Sequence, residues 1–568
     1  MRSYPDYFKR HILSLDGIWE FDWLGGEVDW KTINPAGIAF RELMPVPGVF
    51  DLNLERPGHH GVGIYRKKIR LIGRSERLKL KINGMGLLGK IWFDGKFIAE
   101  YDLPYSGMEY ELPVTERNDE HELIIAIDNR FNFDPALLFQ PGYDFYGFGG
   151  IYRSVELHQL PPCSIDRVKV TPLDITQGTV RLDIKLDGKV PVECVYSLGF
   201  DGGATRQFTA APVDGHIILE AIVPDFKIWS PETPHLHTVE VDIGEDAVCE
   251  RFGMRTVRAE NGKIMLNGSP LRLCGFNRHE SHPQFGPAQP LQLMVEDLQW
   301  LKKMNCNFIR CVHYPQDQRF LDLCDQFGFL VWEESLGWGN KEAQLINPEF
   351  IAKQETETAR MVHNSCNHPS IIIWGFLNEA ESNLEAARPL FQRLTSLLRE
   401  TDGSRLVSFA SCRGITDCCL DFVDVISMNL YPGWFGNSNS NRLPKTCIAP
   451  DIKQLAQFAC RADLRDKPMI ISEIGICAFY GCHDLVGSQW TEEFQRDYMA
   501  EAVRAVFAEE RICGLALWQM FDARSYGSEG PDIRGKPRGY NCAGVLDEYR
   551  RPKLSAAAVG DLFGKLLK

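Results

Sequence analysis

The sequence has no block of Lys and Arg residues, although it is 568 residues long and contains 62 of them. Polyanion binders gather basic charge on one face, so nucleic acid is not an expected partner. The 76 Asp and Glu outweigh the basic residues and leave a net charge of −14, which favours solubility. None of the 17 Cys stands in a C-x-x-C pair, and their number is odd. That pattern excludes a disulfide framework and a zinc ribbon, and fits reduced thiols in a cytoplasmic protein. The N-terminus lacks the apolar core of a secretory signal. The longest apolar run, around Ile371-Ile-Ile-Trp374, is far shorter than the ~20 residues a membrane span needs. A soluble protein with no membrane partner is expected.

Several catalytic signatures are also missing. There is no G-x-S-x-G elbow and no P-loop. His279-Glu-Ser-His282 is one residue short of H-E-x-x-H, so its histidines do not share a helix face. Gly147-Phe-Gly-Gly150 has no helix after it and is no dinucleotide loop. No cofactor or metal is demanded. Neither an internal repeat nor a low-complexity segment is present.

What is present divides the chain into three. At roughly 100–200 residues per domain, three to five domains are expected. Residues 1–160 read as short alternating strands such as Leu78-Lys-Leu-Lys-Ile82, separated by turn pairs Asn83-Gly84 and Asp94-Gly95. This is the pattern of a β jelly-roll. Residues 161–258 continue it with Val168-Lys-Val-Thr171 and Thr238-Val-Glu-Val-Asp-Ile243, which suits an immunoglobulin-like β-sandwich. From 259 to 568 buried strand-like runs alternate with helical stretches, and the length suits a (β/α)₈ TIM barrel.

Two apolar runs of that third region end in a carboxylate: Ile371-Ile-Ile-Trp-Gly-Phe-Leu-Asn378-Glu379 and Pro468-Met-Ile-Ile-Ser-Glu473. Burying a charge is costly, so each needs a reason. Paired with a cation, either would be structural. Two together at a barrel mouth match glycoside hydrolysis, in which one carboxylic acid protonates the leaving oxygen and a second attacks the anomeric carbon or activates water.

Asn367-His-Pro-Ser-Ile-Ile-Ile-Trp-Gly-Phe-Leu-Asn378-Glu379 and Asn307-Phe-Ile-Arg-Cys-Val-His313-Tyr314-Pro315 resemble the two signatures of glycoside hydrolase family 2. Leu15-Asp-Gly-Ile-Trp19, Gly149-Gly-Ile-Tyr-Arg153 and Phe252-Gly-Met-Arg255 resemble its N-terminal domain and the junction into its barrel, in family order. The resemblance implies a retaining exo-glycosidase with Glu379 as acid/base and Glu473 as nucleophile. It implies Asn378 on the sugar 2-hydroxyl, Tyr431 orienting the nucleophile and Trp518 as a platform under the ring. It sets His279, Glu280 and His313 near the site, with Asp144 on a loop reaching the barrel mouth. Arg310, ending its strand, is a candidate donor to the nucleophile. Relatives are often oligomers, so a homo-oligomer is expected by analogy.

The layout is closest to β-glucuronidases, which hold the sugar carboxylate with an Asn-x-Lys motif. Here Asn541 is present and Ala543 stands in place of the lysine. A buried carboxylate needs a cation, so the favoured substrate is a neutral β-galactosyl sugar in a carbohydrate or glycoconjugate. A β-glucuronide or β-galacturonide bound by Arg534, Lys536 or Arg538 is the runner-up. A carbohydrate-binding relative without catalysis is the alternative outside enzymes. An unrelated metallohydrolase is a further one.

Overall fold

The computed structural model describes residues 4–73, 75–114, 120–130, 134–434, 444–526 and 536–567. Arg534 lies outside them. Among the described residues no helix is long and apolar enough to cross a membrane.

The N-terminal strands form a four-stranded and a six-stranded antiparallel sheet. Alternation drives the packing: in Arg77–Ile82 every second side chain is buried. Leu78, Leu80 and Ile82 thereby join Trp19, Phe21, Tyr65 and Ile125 in one core between the sheets. The next seven strands, Cys163–Asp174 to Ala247–Phe252, make a second sandwich of three and four strands. Val168, Val170, Leu182, Ile184, Val239 and Val241 fill it. A small antiparallel unit, Val257–Glu260 with Lys263–Leu266 and Ser269–Pro270, follows. Its Val257, Ile264 and Leu266 share a core with Phe308, Trp332 and Ile373 of the barrel.

The barrel strands are β1 (Leu273–Arg278), β2 (Phe308–Cys311), β3 (Leu330–Glu334) and β4 (Ile371–Gly375), then β5 (Leu406–Ser408 and Ala410–Ser411), β6 (Ile426–Asn429), β7 (Met469–Glu473) and β8 (Ile512–Leu517). Each pairs in parallel with its neighbours, β1 pairs with β8, and the ring closes through the chain itself at Phe409. Helices α1 (Leu291–Lys303), α2 (Gln318–Phe327), α3 (Pro348–Ser365), α4 (Arg388–Thr401), α5 (Pro444–Phe458), α6 (Glu492–Ala508) and α7 (Leu554–Leu566) lie between or after the strands. The β5–β6 connection departs from strict alternation: it contains only the 3₁₀ turn Gly414–Thr416. Asp417 accepts from Ser382 and Ser411, and Arg413 donates to two carbonyls of the loop after β4, at 2.9 and 3.0 Å. These bonds hold the short crossover against the barrel mouth.

Candidate active site

Both carboxylates stand at the C-terminal end of the barrel strands, where barrel chemistry gathers. Glu473 is the last residue of β7. Gly475 lets the chain turn away: a Cβ there would lie 1.9 Å from the carbonyl oxygen of Trp518. Glu379 follows β4 on a strained turn, with Leu377 at φ 47° and Glu379 at φ 54°. Left-handed backbone at non-glycine residues costs on the order of 1 kcal/mol each. The Glu379 N–H donates to the Ala410 carbonyl at 2.9 Å and Arg413 holds the Glu379 carbonyl, so the turn is fixed from two sides.

Glu473 receives strong donors. Arg310 Nη1 donates to its Oε1 at 2.7 Å and Tyr431 Oη to its Oε2 at 2.5 Å. Burial pushes its carboxyl up, while Arg310 and the Tyr431 hydroxyl hold it down. Among the described residues no cation contacts the Glu379 carboxyl. Asn429 Nδ2 donates to its Oε1 at 3.0 Å. Burial, reinforced by the Glu473 charge, raises its carboxyl to about 7. Burial thus raises both carboxyls, and Glu473 is the one that Arg310 and the Tyr431 hydroxyl engage directly.

The surrounding hydrogen bonds fix orientations. Asn378 Oδ1 accepts from Arg310 Nη2 at 2.8 Å and from Asn429 Nδ2 at 3.1 Å. Its Nδ2 is buried without a partner among the described residues and can donate. His313 Nδ1 lies 3.1 Å from Glu334 Oε2, and His279 Nδ1 lies 3.2 Å from Tyr314 Oη. Burial holds both imidazoles well below their ordinary range, so both are neutral. A carboxylate only accepts, so His313 carries its hydrogen on Nδ1 and a lone pair on Nε2. Tyr314 Oη already accepts from the Glu280 N–H at 2.9 Å. Its own hydrogen is best spent on His279 Nδ1, which leaves Nε2–H on that ring. Both Nε2 atoms are buried and without partners among the described residues. Trp518 packs on both imidazoles, at 5.7 Å from each.

The family model for the TIM barrel domain of glycosyl hydrolases family 2 matches residues 257–528, and a second model of the same family matches 163–255. A crystal structure of a GH2 β-galacturonidase from Eisenbergiella tayi, bound to galacturonate, superimposes with a TM-score of 0.89 at 30% identity, covering 99% of each chain. The chain belongs to glycosyl hydrolase family 2. This family 2 hydrolase is also 25% identical to the β-glucuronidase of Mus musculus over 98% of its own length and 91% of the relative's. It is 25% identical to that of Streptococcus agalactiae over 91% and 92%.

The remaining residues singled out in the sequence fall in two groups. Asp144, Asn541 and Lys536 meet. Asn541 Nδ2 donates to Asp144 Oδ2 at 3.2 Å and Lys536 Nζ is in ion-pair contact with Asp144 Oδ1. The next residue, Phe145, packs on His279, His313 and Tyr314. The N-terminal loop therefore reaches the barrel mouth. Burial presses the Lys536 ammonium down to about 7. Arg538 is instead turned to Glu548 at 3.3 Å and is largely exposed.

Glu280 adjoins His279, and its carboxylate is engaged by Arg153 and the Asp317 N–H. Its Oε2 accepts from Arg153 at 2.8 Å and its Oε1 from the Asp317 N–H at 2.7 Å. Arg153 also donates to the carbonyls of Tyr105 and Pro315, and Tyr105 stacks on Tyr314 at 3.9 Å. Glu280 thus ties the jelly-roll to the barrel. Arg153→Met leaves that buried carboxylate unpaired and is expected to destabilise the enzyme by about 3–5 kcal/mol, read as an earlier transition in urea.

Sequence reading passed over Asn429, Arg413 and Glu334. Asn429 stands two residues before Tyr431, and Glu334 ends a strand as Glu473 does. Asp322, Asp325 and His368 bring ligand atoms within 4.8 Å of one another. Arg251 engages Asp322, and His368 bonds Asp325 at 2.6 Å, so they form an ion-pair cluster rather than a vacant metal cage.

Proposed function

We propose that this enzyme removes a terminal β-linked uronic acid, β-galacturonide first, by double displacement through a glycosyl-enzyme on Glu473. The observation that carries the sugar assignment is Lys536. Loss of the motif lysine at Ala543 spoke for a neutral galactoside. Lys536 supplies a largely buried cation beside the same Asn541, from a different point in the chain. Its ammonium and the Asn541 amide are the pair a sugar carboxylate requires. The resemblance to a galacturonate-bound relative points the same way.

In the first step Glu379 gives its proton to the glycosidic oxygen as that bond breaks, and a Glu473 oxygen bonds to the anomeric carbon. Asn429 occupies Oε1 of Glu379, so the acid proton resides on Oε2. The free Nδ2–H of Asn378 meets the 2-hydroxyl, His279 donates to one sugar oxygen and His313 accepts from another. Once Glu473 is esterified its charge is gone, and so is part of what raised the Glu379 carboxyl. Glu379 then takes a proton from the water that bonds to the anomeric carbon, as the bond to Glu473 breaks and its carboxylate is restored.

A panel of nitrophenyl β-galacturonide, glucuronide, galactopyranoside, galactofuranoside, glucoside and mannoside tests the assignment. The galacturonide is expected to give the largest kcat/KM. Lys536→Ala is expected to lower it by about 10²-fold, as for loss of a buried charge partner, with little change on the neutral sugars. A galactopyranoside turned over best, and unaffected by Lys536→Ala, would overturn the uronide reading. That neutral alternative has one observation in its favour: Asp144 already balances the Lys536 charge.

A further inference from the structure

We propose that Glu334 is a positioning residue of this reaction, holding Arg310 onto the nucleophile and locking His313 as a hydroxyl acceptor without touching substrate itself. The inference rests on Glu473 being the nucleophile.

Glu334 ends β3 and is 1% exposed. Its two oxygens serve two different site residues. Oε1 accepts from Arg310 Nε at 2.7 Å, and Oε2 faces His313 Nδ1 at 3.1 Å. Arg310 is fully buried over the Trp332 ring, 4.7 Å from its centroid. Its Nη1 reaches Asn277 Oδ1 at 3.0 Å and Glu473 at 2.7 Å, and its Nη2 reaches Asn378. The planar guanidinium has a fixed fork. Anchoring Nε therefore sets the angle at which Nη1 meets Glu473 and Nη2 meets Asn378. One cation is shared by two carboxylates, so Glu334 also limits how far Arg310 can suppress the basicity of Glu473. The groups facing Glu473 are Arg310 from β2, Glu334 from β3, Glu379 after β4 and Tyr431 after β6.

The His313 contact makes the second link. Only an ionised, acceptor-only partner forces the hydrogen onto Nδ1. The lone pair then stands on Nε2, which is buried and unpartnered. An amide at position 334 cannot serve both donors at once. Whichever of Arg310 and His313 faces its NH₂ must turn away or, for His313, change tautomer and present N–H where a sugar hydroxyl expects a lone pair.

Glu334→Gln is the test, on the best substrate of the panel. Its kcat/KM is expected to fall by about 10²-fold, the scale of a misplaced catalytic group. Its acid limb is expected to move to lower pH, because Arg310 now acts on Glu473 alone. Glu334→Asp keeps the charge, so its acid limb is expected to stay while kcat/KM falls less. Wild-type kcat/KM in Glu334→Gln, or a loss with an unmoved acid limb, would overturn the proposal. If Glu334→Gln gives no cooperative melt, Glu334→Asp decides: a wild-type rate overturns the proposal and a lowered rate on an unmoved acid limb supports it. Labelling by a 2-fluoro sugar separates this from the nucleophile assignment. The label is expected on Glu473 in both proteins, more slowly in Glu334→Gln. A wild-type label elsewhere rejects the nucleophile, whereas equal rates on Glu473 reject the role of Glu334.

Discussion

Glu473→Gln is expected to lose at least about 10⁴ of kcat on every substrate, whatever its leaving group. The size follows from what the side chain does. The amide is isosteric but offers no anion to the anomeric carbon, and it sets an NH₂ against either Arg310 Nη1 or the Tyr431 hydroxyl, both now donors to Glu473. Binding should survive better than turnover, since the sugar contacts proposed for Asn378, His279 and His313 do not pass through the carboxylate. Stopped-flow and steady-state assays with a dinitrophenyl glycoside check this most sharply. That leaving group needs no acid, so the remaining deficit reports the nucleophile alone.

Glu379→Ala is expected to behave differently, and the difference assigns the roles. With a poor leaving group kcat/KM should fall by about 10²–10⁴-fold. With dinitrophenolate, the glycosylation rate should be nearly unchanged and deglycosylation should become limiting, since no base remains for water. The pH profile gives the sign. As the proposed acid, Glu379 works protonated, and burial raises its carboxyl to about 7, so wild-type kcat/KM is expected to fall as pH rises through that value. The variant should lose this basic limb. Stability is linked to the same group. The folded value stands above the ordinary 4.5, so the wild type loses stability as pH climbs from about 4.5 to 7. Glu379→Gln has no charge to bury. It should be more stable than wild type above pH 7, by about 3 kcal/mol from the size of the shift, and no more stable below pH 4.5.

Much of this was legible in the chain. Leu78-Lys-Leu-Lys-Ile82 and its like announce half-buried strands, because a period of two permits one apolar face. The two strands ending in Glu379 and Glu473 stood out because an apolar run rarely ends in charge. Glu334 was less visible for a physical reason. It is preceded by Glu333, and neighbouring strand residues point to opposite faces. Glu333 turns away to the Gln316 N–H at 2.9 Å, and only Glu334 faces Arg310. Sequence does not say which of two adjacent carboxylates faces inward. The Asp144–Asn541 contact joins residues 397 apart, and no local pattern reports it. Ala543 in place of the motif lysine could be read directly, whereas the Lys536–Asp144 contact depends on how two loops meet. Glu280 shows the converse. It adjoins His279 in sequence, yet just past the end of β1 its carboxylate goes to Arg153 and the domain contact.

The most direct measurement is mass mapping after incubation with a 2-deoxy-2-fluoro-β-galacturonosyl fluoride, or its analogue for whichever sugar the panel selects. The fluorine at C2 slows both displacements, and the fluoride leaving group restores the first, so the glycosyl-enzyme accumulates. One sugar is expected on the peptide bearing Met469–Glu473, with activity returning as the label hydrolyses. A label on Glu379, a label elsewhere, or turnover with inverted anomeric configuration and no label would contradict double displacement at Glu473.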